Sequence, residues 1–144
     1  MPISKPPLSK VYKKGLVLVV KDFKFSNGAK SKAKYFVLLN ATAFSEPIMY
    51  MLPTTQLQHY TSRRSNHLYF ELKHKESKCF TKTNVFDFDQ IAPMEYEDFE
   101  LIYNCNDTLY KGCLESNIVE KINQFVRKSG LSDEYKKIIL GSAP

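Results

Sequence analysis

The strongest constraint on this chain is a set of short apolar runs that stop before a helix can form. Residues 16–20 (LVLVV), 35–39 (YFVLL) and 48–52 (IMYML) each reach only the length of a buried strand. Gly15 opens the first, which ends at Asp22 and Phe23. The polar stretch around Gly28 separates it from the second, and Pro53 stops the third. Two further segments alternate apolar with polar residues as half-exposed strands do. These are 67–72, and 84–91, where Val85, Phe86, Phe88 and Ile91 are interleaved with Asp87 and Asp89. Residues 99–103 read as one more strand, and residues 74–82 as a charged turn or hairpin end. About six short strands at this spacing predict a barrel or sandwich.

The period changes near the C-terminus. Leu114, Ile118, Val119, Ile122, Phe125 and Val126 recur at helical spacing, so a helix is predicted over about 114–128, with Ser116 as a possible N-cap and Gly130 just past its end. A second, about 132–139, starts with acids and ends with bases, as the helix dipole favours. With 144 residues, 10 Phe and 9 Tyr, the chain has enough apolar surface for one core. The expected organisation is a flexible basic arm over 1–13 followed by a single domain over 14–144.

Charge is segregated along the chain. The net charge is +6, but residues 1–34 carry nine lysines against Asp22, and residues 83–107 carry seven acids and no Lys or Arg. Residues 59–82 hold Arg63, Arg64, Lys73, Lys75, Lys78 and Lys82 against Glu71 and Glu76, together with His59, His67 and His74. Two basic segments on one face would attract phosphates through counterion release; a solvated surface with a basic tail is the plainer reading. No apolar run approaches the roughly 20 residues that span a bilayer, and the basic N-terminal stretch lacks the apolar core of a signal peptide. Cys79, Cys105 and Cys113 lack metal-ligand spacing, so no metal is expected and a reduced, cytoplasmic protein is the simplest expectation. The chain has no Walker loop, dinucleotide glycine fingerprint or nucleophile elbow, and no cofactor is expected.

Three segments and a glycine, in order, resemble the MazF/PemK (Kid-like) toxins of bacterial toxin–antitoxin pairs. The first is Gly15 with its apolar strand to Asp22 and Phe23, then Gly28 in a polar loop, then the run from Lys34 to Asn40. The second is the run from Ile48 to Pro53 closing in Thr54, Thr55 and Gln56. The third, residues 83–91, ends in Asp89, Gln90 and Ile91, and Gly112 then precedes the helix. The resemblance covers about residues 15–128. It implies an α+β, mainly β fold: a small SH3-like antiparallel β-barrel with a C-terminal helix. It further implies a homodimer, metal-independent cleavage of single-stranded RNA, and a cognate antitoxin protein as partner. Lys34 stands where the family has a catalytic arginine, with Tyr35 in place of the following proline; a shift in the loop would make Lys32 the equivalent. Thr54 matches a phosphate-contacting threonine, and Asp87 replaces an arginine that PemK-type members place two residues before the aspartate. Lys30 replaces a loop glutamate.

The chemistry can be set out independently. Metal-free RNA cleavage uses the substrate's 2′-hydroxyl as nucleophile, so the site must take up that proton, stabilise charge on the phosphorane and protonate the leaving oxygen. Lys34 is the candidate for holding the phosphate, Thr54 for orienting it and Asp89 for proton transfer. Lys30, Lys32, Thr55, Gln56, His59, Arg63, Arg64 and His67, on the loops 24–34 and 55–66, are the candidates for holding the strand. Each has a plainer reading as a strand-edge lysine, a turn former, a local hydrogen-bond acceptor or a solvated surface residue. The rival from another class is a binding module on the same barrel that no longer cuts, holding RNA or poisoning a protein target as the related CcdB toxins do.

Overall fold

The structure, a computed structural model, describes residues 5–23, 32–41, 47–55 and 68–141. The elements run α1 (Leu8–Val11), β1 (Leu16–Phe23), β2 (Lys32–Leu38), β3 (Ile48–Met51), β4 (Tyr69–Leu72), a 3-10 turn (His74–Glu76), β5 (Asn84–Asp87), β6 (Ala92–Met94), α2 (Tyr96–Asn104), β7 (Leu109–Cys113), α3 (Ser116–Lys128) and α4 (Asp133–Leu140). The fold is α+β, with antiparallel sheets at its centre. One sheet has the order β6-β3-β2-β1-β7, and β4 pairs with β5 in a second. A single bridge between Thr54 and Val85 ties the two together. Among the described strands the sheet does not close on itself, because β6 and β7 stand at opposite edges.

The continuous apolar runs are explained by burial on both faces. Val17, Val37, Leu39, Met49 and Met51 point into one core with Phe70 and Phe86 of the second sheet, Phe88 just after β5, and Ile118, Ile122 and Val126 of α3. Leu16, Leu18, Val20, Phe36, Leu38 and Ile48 face the other way, onto Phe99 and Tyr103 of α2 and Val11 of α1. A strand covered on only one side would have needed alternation instead. Gly15 is required where β1 begins. Its φ is +96°, its carbonyl accepts from the N–H of Leu114 at 2.9 Å, and a Cβ there would meet Val119 Cγ2 at 3.2 Å. Gly112, at φ +119°, sits where the β1–β7 register slips.

At four places the structure departs from the sequence reading or adds to it. Residues 99–103 are not a strand but lie in α2. Phe99, Leu101 and Tyr103 mimic alternation, yet only Phe99 and Tyr103, four apart on one helical face, are buried, while Leu101 is 72% exposed. The acids Glu97 and Asp98 in the first turn complement the helix dipole. Second, β7 is a strand with no apolar alternation to announce it, Leu109 being exposed and Lys111 and Gly112 lying inside it. Third, residues 5–13 are not a free arm. Val11 is buried, Tyr12 packs edge-on against Tyr96 at 5.5 Å, the Tyr103 hydroxyl donates to the Pro6 carbonyl at 2.5 Å, and Lys5 Nζ donates to the carbonyls of Tyr103 and Cys105 at the end of α2. Fourth, residues 74–82 form the hairpin end that joins the antiparallel pair β4 and β5, as one of the two readings had it, but Ser77, Cys79 and Phe80 within it are buried.

Both predicted C-terminal helices form. Gly130 lies just past the end of α3, as predicted, but Ser116 is the first residue of the helix and not its cap; Ser129 ends it, its hydroxyl donating to the Val126 carbonyl at 2.7 Å. Ser132 caps α4, accepting from the N–H of Tyr135 at 3.2 Å. At its other end, the buried Lys14 donates to the Ile139 carbonyl at 2.8 Å. Loss of water around this ammonium, with Arg127 nearby, lowers its pKa to about 8, against a smaller opposing pull from Glu120.

Candidate functional site

The sheet register sets where the candidate residues stand. β2 and β3 pair at Val37↔Met51 and Leu38↔Tyr50. Lys34 and Thr54 each lie three residues beyond the first of these pairs, so they occupy the same end of neighbouring strands. Lys34 is half-buried and opposite Val20 of β1; Lys32 is opposite Phe23, beyond an irregularity in the ladder. Thr54, half-buried, leaves the five-stranded sheet to exchange two backbone hydrogen bonds with Val85, its N–H donating at 3.2 Å and its carbonyl accepting at 2.7 Å. Thr55 follows it and is exposed.

Asp89 is presented differently. The chain after β5 returns to pair with the body of β3, Ala92 standing opposite Tyr50. Eighty-five to 92 is seven steps, whereas the opposing stretch from Thr54 back to Tyr50 is four. The three surplus residues are looped out as a turn, which leaves Asp89 and Gln90 exposed. Asp87, by contrast, is buried. Its carboxylate accepts the backbone N–H of Asp89 at 2.9 Å and its carbonyl accepts that of Gln90 at 3.1 Å. Asp87 is therefore the fastener of the turn, a role the sequence concealed behind its likeness to a site position. Lys34 and Thr54 thus share an end of the sheet, and Asp89 protrudes beside the same β3 strand. Lys30, Gln56, His59, Arg63, Arg64 and His67 lie outside the described residues.

Other reactive groups are held in quiet environments. Burial pushes the thiols of Cys79 and Cys113 up from their ordinary values, which suppresses the thiolate. Among the described residues no group of three His, Cys, Asp or Glu is placed to hold a metal ion, and no helix is long and apolar enough to cross a membrane. The aromatic side chains nearby are structural: Phe86 and Phe88 belong to one core and Phe99 to the other.

Sequence reasoning passed over the mounting of the 73–82 segment. Phe80 meets Tyr35, the neighbour of Lys34, with ring centroids 4.6 Å apart. An aromatic and a cysteine inside a lysine-rich stretch were the available signal. Comparison of the chain with models of known protein families finds none that matches, and comparison with curated proteins finds no match either.

Proposed function

We propose that this protein is a toxin-like endoribonuclease of the MazF/PemK kind, cleaving single-stranded RNA on an SH3-like barrel. The reading is supported by one juxtaposition above all: a cation and a hydroxyl at one end of adjacent strands, Lys34 and Thr54, with the exposed carboxylate of Asp89 in a braced turn beside the second of them. In this reading Lys34 neutralises the phosphate and the developing charge on the phosphorane. A lysine supplies a point charge without the two-pronged grip of an arginine. The Thr54 hydroxyl donates to a phosphate oxygen. The Asp89 carboxylate takes the proton from the 2′-hydroxyl as that oxygen attacks the adjacent phosphorus; the bond to the 5′-oxygen breaks, leaving a 2′,3′-cyclic phosphate, and the departing 5′-oxygen takes its proton from solvent water. The loops 24–34 and 55–66 hold the strand. The protein works as a homodimer in the cytoplasm, restrained by an antitoxin protein, and needs no metal or cofactor.

A second reading has its own support. Asp87 occupies the position of a proton-donating arginine but is buried and committed to backbone amides, so it supplies no proton to the leaving oxygen. A module that binds RNA, or a protein target, without cutting is consistent with that. Pure protein incubated with labelled single-stranded RNA in EDTA separates the two. The nuclease reading expects cleavage by the wild type and a loss of about 100-fold or more in Lys34→Ala and Asp89→Ala. Binding with no cleavage establishes the module, and equal cleavage by all three proteins removes Lys34 and Asp89 from the mechanism.

A further inference from the structure

Residues 73–82 carry Lys73, His74, Lys75, Lys78 and Lys82, all exposed. A solvated loop would leave such side chains on a mobile backbone. Here the backbone is fixed at every turn. The Glu76 carboxylate accepts the N–H of Lys73 at 3.0 Å, and the N–H of Glu76 returns to the Lys73 carbonyl at 2.8 Å. The N–H of Lys78 is held by the Glu115 carboxylate at 3.1 Å. Burial alone would push that carboxyl up, but the amides of Lys78 and Glu115, the Ser77 hydroxyl and the charge of the Lys78 ammonium more than offset it and hold it below the ordinary range. Ser77 accepts from the N–H of Cys79 at 3.2 Å, and the Asn84 amide donates to the Lys82 carbonyl at 3.0 Å. Phe80 anchors the segment between Tyr35 of β2 and Phe86 of β5, 4.6 and 5.8 Å between ring centroids. Glu76 and Glu115 each accept a backbone amide of the segment, Glu115 also attracts the Lys78 ammonium, and all five basic residues are exposed.

The anchor points also fix where this cationic segment lies. Phe80 rests on Tyr35, which precedes Phe36 and follows Lys34 but faces the opposite side of β2 from Lys34, and Lys82 is three residues before Val85, the bridge partner of Thr54, so the segment reaches the same end of the sheet from its other face. Cations on a braced backbone lose less freedom when they meet a charged polymer than cations on a loose one. We propose that Lys73, Lys75, Lys78 and Lys82 form a phosphate-binding track that continues from the Lys34 and Thr54 end of the sheet and holds the backbone of an RNA strand flanking the cleaved bond. This rests on the nuclease or RNA-binding reading of that site. The track reads phosphates alone, so its contribution depends on salt and on RNA length and not on base sequence.

The test is anisotropy titration of the full chain with labelled 2′-O-methyl RNA, which lacks the attacking hydroxyl, at lengths of about 4 and about 20 nucleotides and about 50–200 mM salt. Each phosphate contact to a single strand contributes about 0.7 to the slope of log K against log salt, so K73Q/K75Q/K78Q/K82Q is expected to flatten the slope for the longer RNA by up to about 3. Its binding of the short RNA stays unchanged, and four arginines at the same positions restore the slope. The matched variant K10Q/K111Q/K128Q/K137Q, with the same net charge, keeps the wild-type slope. Thermal melts establish that all variants are folded. Unchanged long-RNA binding in the track variant, or an equal loss in the matched variant, overturns the track while leaving the site. Failure of the wild type to bind either RNA removes both.

Discussion

Lys14 illustrates how a single residue can be structurally necessary and energetically uncomfortable. Its ammonium is buried to satisfy the last turn of α4 at the Ile139 carbonyl, and burial lowers its pKa to about 8 against 10.5 for the free group. Between those values the unfolded chain binds more protons than the folded one, so stability rises as pH increases through that window. The neutral amine still has an N–H to donate to Ile139. The melting temperature is therefore expected to gain from Lys14 between pH 8 and about 10, and Lys14→Met to lose that gain. Lys5 shifts in the same direction and is present in both proteins, so the difference between them isolates Lys14. Tyr12, raised to about 12 by burial and by Tyr96, acts only above pH 10. Parallel melting curves for wild type and variant from pH 7.5 to about 9.5 contradict the assignment. Asp87 shows the same tension between chemistry and structure. The residue type suggested a failed proton donor, and only the 2.9 Å bond to the Asp89 amide reveals a turn fastener.

At the scale of elements, what the sequence disclosed depended on how each element is buried. β1, β2 and β3 were legible because both faces are covered, which writes an unbroken apolar run into the chain. α3 was legible because it buries a single stripe, Ile118, Val119, Ile122 and Val126. α2 was misread because Leu101, an apolar residue left in solvent, completed a false alternation. β7 was invisible because its place is set by backbone pairing with β1 and by Gly112, with little help from side chains. The same contrast governs mutations. Phe86 is fully buried and stacks on Phe70 at 5.0 Å. Phe86→Ala is expected to cost about 3–5 kcal/mol in urea unfolding. Leu101→Gln, on the solvent side of α2, should change stability by no more than about 0.5 kcal/mol. Comparable losses at the two positions would mean that Leu101 is packed in solution.

The whole molecule is a five-stranded sheet clothed on one side by α1 and α2 and on the other by the β4–β5 pair with α3 and α4. Residues 5–13 belong to this body. Removing residues 1–13 takes away Val11, the Tyr12 rings against Tyr96 and Phe99, and the Lys5 hold on α2. The truncated chain is expected to lose about 2–5 kcal/mol by equilibrium unfolding, whereas a true dangling arm would cost nothing measurable. Composition alone suggested an arm because three prolines and scattered lysines mask the short apolar motif that docks. The candidate site was legible only as residue types. Its arrangement came from the register of three strands and from the bridge at Thr54, neither of which has a local signature in sequence.

The looped-out turn after β5 has a consequence for how such a scaffold can diversify. Its extra length is absorbed at the exposed Asp89 and Gln90, after the rung at Val85 and the buried Phe86, Asp87 and Phe88, and before the rung at Ala92. Segments of different length or chemistry can be exchanged there while both rungs stay in place, much as a tool bit is changed without altering the handle. A transplant experiment that swaps this cassette would alter reactivity and leave the melting behaviour of the body untouched.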